Sequence, residues 1–138
     1  MIADDCPLDC VAFLLIRDGR VLLERRSPTK RVVPGVLAIP GGHMEGSESA
    51  EEAVRRELEE ELGVTAATIS YVCTLLHRAQ EFRRLHYFAV TAWEGEMIAR
   101  EADGLQWTDM RCAPAFDLDV DRLAVSEYLR VYRTGKDR

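Results

Sequence analysis

The sequence predicts an α/β fold, a mixed β-sheet with helices covering both faces. Apolar runs rich in β-branched and aromatic residues recur at 10–17, 68–77 and 85–93, the composition of strands. Two other segments, 49–62 and the stretch holding Leu123, Ala124, Tyr128 and Leu129, carry their apolar residues at helical spacing. These two helices lie far apart in the chain with strands between them, which suggests that they cover opposite faces of one sheet.

Length and composition bound the organisation. A chain of 138 residues with 47% hydrophobic content is long enough for one good core and too short for two, so one domain spanning 1–138 is expected. No stretch approaches the roughly 20 apolar residues of a membrane span. The first ten residues, MIADDCPLDC, carry acids where an export signal carries basic residues, so a soluble cytoplasmic protein is expected. A net charge of −6 argues against a general binder of nucleic acids, whose phosphates select basic surfaces. Of the cysteines Cys6, Cys10, Cys73 and Cys112, only the first two are close in sequence. A C-x3-C pair without a second pair does not make a zinc site. Cys10 and Cys73 fall in apolar strand-like runs and read as small hydrophobes.

The elements follow in order. Cys10–Arg17 is an apolar strand, Asp18-Gly19 a hairpin turn, and Val21–Glu24 the returning strand. A loop from Ser27 to Gly35 leads to a short strand, Val36–Ile39, and then to Pro40-Gly41-Gly42, where backbone can approach a ligand closely. Ser49 and Glu52 form a capping-box pattern, and Gly63 is placed as a C-terminal stop. Between them Ala50, Val54, Leu58 and Leu62 make an apolar stripe that should face the sheet. Strands at Thr68–His77 and Leu85–Trp93 are joined by a polar segment, Arg78–Arg84. An acidic loop precedes a short strand, Leu105–Thr108, and Asp117-Leu118-Asp119 leads into the final helix.

The first helix carries the chemistry. Glu57, Glu60 and Glu61 stand at i, i+3 and i+4, on one side of the helix at the border between its apolar stripe and solvent. Like charges so grouped cost stability unless a cation lies among them, and carboxylates select hard cations such as Mg²⁺ or Mn²⁺. The whole stretch, Gly42–Val64, reads GHMEGSESAEEAVRRELEEELGV. It resembles, at every fixed position, the signature of the Nudix hydrolases, G-x5-E-x7-R-E-U-x-E-E-x-G-U with U aliphatic. Gly42, Glu48, Arg56, Glu57, Leu58, Glu60, Glu61, Gly63 and Val64 occupy those positions.

The resemblance implies an α/β/α sandwich and a metal-dependent hydrolase of the MutT-like kind. By the same resemblance Glu60 and Glu61 are metal ligands, and Glu57 is a ligand or the general base. Arg56 orients the glutamates through charge-assisted hydrogen bonds. Glu48 is structural or an outer ligand, Gly42 and Gly63 are structural, and the carbonyl of Gly41 completes the metal shell. MutT-like members also draw a ligand or base from a later loop. In WEGEMIAREADGLQW the acid chosen for that role is Glu101, with Glu94 and Glu96 as competitors. Dimers are frequent among such relatives, which leaves a homodimer open.

Two basic clusters are suited to a small polyphosphate. One holds Arg20, Arg25, Arg26, Lys30 and Arg31; the other holds His77, Arg78, Arg83, Arg84 and His86. Arg26 and Arg31 are taken as phosphate-holding, and His86 with Phe88 as candidates to stack on a base. Strand alternation places Tyr87 opposite those two, so only one set reaches a cleft. The substrate expected is a nucleotide, with a (deoxy)nucleoside triphosphate, normal or oxidised, as first choice. The alternative comes from LLERRSPTKRVVPGVLAIPGG, Leu22–Gly42. It resembles the coenzyme A pyrophosphatase signature LLTxR-S/A-x3-R-x3-G-x3-FPGG, apart from Glu24 and Ile39 in place of Thr and Phe. ADP-ribose is a further option. A different class, a non-catalytic metabolite sensor, normally goes with eroded carboxylates, and none of the signature carboxylates is lost here.

Overall fold

In the computed structural model, residues 6–26, 35–99 and 104–132 are described. Strand β1, Leu8–Arg17, turns at Asp18-Gly19 into β2, Arg20–Arg25. Both turn residues have positive φ, 55° at Asp18 and 75° at Gly19, the conformation of a tight hairpin whose twist matches its strands. The chain continues through β3 (Leu37–Ala38) and β4 (Gly41–His43) into α1 (Ala50–Leu62). Next come β5 (Thr65–Arg78), β6 (Phe82–Glu94), β7 (Gly104–Asp109), a 3-10 turn at Ala113–Ala115, and α2 (Asp119–Tyr132).

The sheet runs β3-β2-β1-β6-β5, with β7 paired to β2 and β4 paired to β1. Strands β1 and β6 are parallel, Leu8 opposite Arg83 through Leu15 opposite Val90, and the other pairings are antiparallel. It is therefore the mixed sheet expected, with α1 and α2 on its two faces.

Strand β1 is apolar on both sides, as a strand covered by helices must be. Val11, Phe13 and Leu15 pack with Val54, Leu58 and Leu62 of α1. Cys10, Ala12 and Leu14 point the other way and pack with Val120, Ala124 and Val125 of α2. Truncating fully buried Leu58 to Ala is expected to cost roughly 2–5 kcal/mol.

Helix α1 starts where its caps place it. Ser49 accepts from the Glu52 N–H at 3.1 Å, and the Glu52 carboxylate accepts from the Ser49 N–H at 2.7 Å. Gly63 closes it, donating to the Glu59 carbonyl at 3.1 Å.

The expectations fail in three places. The Gly41-Gly42 segment, for which the sequence predicts no strand, is one. It pairs with β1 in the register Cys10–His43, Val11–Gly42 and Ala12–Gly41, while the strand expected at Val36–Ile39 shrinks to Leu37–Ala38. The polar link at Arg78–Arg84 shrinks to three residues, 79–81, because β5 and β6 pair out to Arg78 and Phe82. In α2 the packed face is set by Val120, Asp121, Ala124 and Val125, which turns Leu123 out to 57% exposure.

Candidate active site

The cavity that organises the site, roughly 310 Å³, is lined by residues of β1, β4, β6 and both helices. Strand β1 has β4 beside its first half and β2 beside its last residues, and Ala38, Ile39, Gly41 and Gly42 form the cavity wall where the chain passes between them.

Two carboxylates of α1, Glu57 and Glu61, face this cavity. They stand one helical turn apart and are only 9% and 5% exposed. Glu60 is turned away, its side chain 53% exposed, so the three glutamates of the signature are divided between two environments. The division follows from helix phase: i and i+4 lie about 40° apart, whereas i+3 lies about 60° to the other side of i and about 100° from i+4.

Arg56 ties the acids together. Its Nε and Nη2 donate to the two oxygens of Glu48 at 3.1 and 2.7 Å, a bidentate pair. Its Nη1 donates to Glu57 Oε2 and Glu60 Oε1, both at 3.1 Å, and Nη2 also reaches the His43 carbonyl at 3.0 Å. The hydrogen bond from Arg56 holds the Glu48 carboxyl below its ordinary pKa, and the same contact with Glu48 pushes Arg56 up. Neither arm of Arg56 is left for a substrate.

A side chain on Gly42 would collide with the Glu57 carboxylate, and one on Gly41 with the Val11 carbonyl. The two glycines thus admit close backbone approach, to the carboxylate in one case and to β1 in the other.

The rest of the cavity lining is different: Arg26, Arg83, Tyr87 and Asp121 contribute polar groups, and Ile39, Leu85 and Leu118 apolar walls. Asp121 is held by two donors, the Ile39 N–H at 3.0 Å and the Tyr87 hydroxyl at 2.8 Å. Burial pushes its pKa up to about 6 against those two contacts. Arg26 lies 3.5 Å from the buried Glu24 carboxylate. Burial also pushes the cavity-lining Cys10 thiol up to about 11, an inert thiol.

Of the residues expected at the site, Gly41, Gly42, Glu57, Glu61 and Arg26 are brought to one cavity. Arg56, Glu48 and Glu60 stand just behind it. His86 and Phe88 do not line it. Strand alternation turns Arg83, Leu85 and Tyr87 toward the cavity and sends the other two to the α1 side. There Phe88 packs with Val11 and Phe13, and His86 meets Asp9 at 2.9 Å and Thr74 at 3.1 Å. Arg31 and Glu101 lie outside the described residues; Glu94 and Glu96 are exposed and do not line the cavity. Sequence reasoning missed Asp121, Arg83 as a lining residue, and His43. For Asp121 a signal existed, an acid in phase with Val120, Ala124 and Val125.

Among the described residues no three His, Cys, Asp or Glu side chains gather into a metal-holding group. Two buried carboxylates on one wall nonetheless fit a Mg²⁺-type ion, which is held by one or two carboxylates and completes its shell with water and substrate phosphate.

The family model of the NUDIX domain matches residues 7–128. The chain belongs to the Nudix family. It is 34% identical over 110 residues to the CTP pyrophosphohydrolase of Escherichia coli K12, covering 78% of this chain and 76% of that protein. It is 32% identical over 86 residues to the 8-oxo-dGTP diphosphatase of Proteus vulgaris, covering 62% and 76%. The crystal structure of a MutT Nudix hydrolase from Burkholderia pseudomallei superposes with a TM-score of 0.79 at 27% identity, over 88% of this chain and 98% of that one. The mixed sheet between helices is thus the Nudix α/β/α sandwich. Membership supports a Nudix-type nucleotide pyrophosphohydrolase activity, and Nudix proteins typically use divalent cations.

Proposed function

We propose that this protein hydrolyses a (deoxy)nucleoside triphosphate, normal or oxidised, to the monophosphate and pyrophosphate, using Mg²⁺ or Mn²⁺. The observation that carries the reading is a cavity lined by two chemically distinct sets of groups: buried Glu57 and Glu61, and Arg26, Arg83 and Asp121. A nucleotide has the same division, a polyphosphate and a neutral polar base. The names of the two relatives, one for CTP and one for 8-oxo-dGTP, support a triphosphate over coenzyme A or ADP-ribose.

Glu57 and Glu61 would hold the cation, with Gly42 leaving room for the Glu57 carboxylate. Bound there, the ion would neutralise phosphate charge and lower the pKa of a water. Arg56 keeps Glu57 oriented and offsets the charge of four neighbouring carboxylates, Glu45, Glu48, Glu57 and Glu60. Glu60, in this arrangement, acts through Arg56. Glu101 belongs to the proposal as a further ligand or base. In the net reaction water adds to the α- or the β-phosphorus, the P–O bond of the α–β bridge breaks, and monophosphate, pyrophosphate and one proton are released.

The test is a panel of substrates under one set of conditions with Mg²⁺. It should include the common triphosphates, oxidised purine triphosphates, coenzyme A and ADP-ribose. A triphosphate about tenfold or more ahead in kcat/KM is the expected result, a difference of roughly 1.4 kcal/mol in transition-state binding. Coenzyme A in front, releasing 4′-phosphopantetheine and 3′,5′-ADP, would overturn the substrate choice.

A further inference from the structure

The end of the sheet away from the cavity carries an aromatic face. Arg17 closes β1 beyond the cavity-lining Ala12, about 16 Å further along the strand. Its guanidinium carbon lies 4.5 Å from the Trp93 ring centroid and 5.7 Å from that of Trp107. The two indoles stack, with centroids 6.2 Å apart and planes 17° from parallel. Trp93 and Met97 pack on the α1-side core. Ile98 follows Met97, and its backbone N–H donates to the Leu62 carbonyl at 3.0 Å. Trp107 is nonetheless 36% exposed and Ile98 52%. Tryptophan and arginine are the side chains that most often carry the energy of protein interfaces.

Charge decides what this face can meet. On the hairpin flank Arg17 and Arg20 are exposed cations, and on the β6 flank Glu94 and Glu96 are exposed acids. Asp109, opposite Arg20 in the β2–β7 pair, is already paired to Arg111 at 3.5 Å. Arg17, Glu94 and Glu96 make no ion pair among the described residues. The chain as a whole carries a net charge of −6, so two copies repel over most of their surface. On this face the signs are balanced and separated. A two-fold axis through the tryptophans carries each flank onto its opposite, so that the cations of one copy meet the acids of the other. A partner of one sign satisfies one flank and is repelled by the other.

We propose that this face is the interface of a homodimer, with Trp93, Trp107 and Ile98 at its centre and Arg17 and Arg20 of each copy set against Glu94 and Glu96 of the other. The cavity lies beside the first half of β1, so both cavities stay open in such a pair. The inference stands apart from the choice of nucleotide.

Sedimentation velocity of the full chain across the micromolar range is the test, with each variant checked for folding by thermal unfolding. The wild type should sediment as a dimer. Trp107→Ala should weaken association by about thirtyfold or more, the loss expected of a central tryptophan. Arg17→Glu with Arg20→Glu, and separately Glu94→Arg with Glu96→Arg, should each give a monomer, because each sets like charges against one another. Mixed in equal amounts, these two variants should form a heterodimer, since each presents the sign that the other lacks. Adding Trp107→Ala to both should abolish that heterodimer, which separates docking through this face from plain attraction of opposite charges. A wild type that is monomeric throughout overturns the proposal and leaves the face to an unrelated partner. A dimer that persists in both charge variants also overturns it, by placing the interface elsewhere, and a mixture that stays monomeric contradicts the two-fold pairing. If Trp107→Ala does not fold, the charge variants and their mixture decide, because all four charged positions are exposed.

Discussion

The Glu57 carboxylate occupies the space that a side chain on Gly42 would fill. The glycine is therefore part of how the carboxylate is placed, as much as Arg56 on its other side. Gly42→Ala should leave the fold intact, since the obstructing atoms are the end of a side chain, at a stability cost of about 1–3 kcal/mol. The carboxylate must move, so Mn²⁺ affinity, followed by electron paramagnetic resonance, should fall. Unchanged affinity in the folded variant would detach Glu57 from the cation.

Arg56 touches Glu48, Glu57, Glu60 and the His43 carbonyl. Arg56→Gln should lower metal affinity by roughly 10- to 100-fold, the usual effect of losing a group that orients ligands. Arg56→Lys keeps the charge without the bidentate fork and should recover only part of it. A lysine variant equal to wild type would mean that charge alone suffices.

Asp121 gives a pH signature. Its folded-state pKa, pushed to about 6 from an ordinary 3.8, means that the native state holds this proton between those values while the unfolded chain has released it. Stability from this group therefore falls as pH rises from about 4 to about 6, by a total on the order of 3 kcal/mol. Asp121→Asn has no such proton. The difference in unfolding free energy between variant and wild type, measured by urea denaturation from pH 4 to 7, should shift in favour of the variant across that window. A flat difference would contradict the burial of an ionisable group there.

Much of the site was readable before the structure, for reasons that particular residues show. Helix α1 was fixed by Ser49, Glu52 and Gly63 and by its apolar stripe, all of which are local signals. The split that puts Glu57 and Glu61 inside and Glu60 outside was not readable, because it depends on how α1 is rotated against β4. Strand β4 escaped notice because a Gly-Gly pair carries no side-chain pattern to show pairing. The choice between His86 with Phe88 and Tyr87 was posed by alternation. Only the position of α2 tells which face of β6 bounds the cavity.

In the proposed site Glu57 and Glu61 hold the cation for triphosphate hydrolysis, with Glu60 acting from outside. Pyrophosphate release from CTP as a function of Mg²⁺ concentration, in Glu57→Gln, Glu60→Gln and Glu61→Gln, checks this division of roles. Glu57→Gln and Glu61→Gln should lose about a hundredfold or more in turnover, several kcal/mol of charge stabilisation. Glu60→Gln, whose charge is solvated, should stay within about tenfold of wild type. Near-normal Mg²⁺-dependent turnover in both Glu57→Gln and Glu61→Gln, or Glu60→Gln as the most damaged of the three, would contradict it.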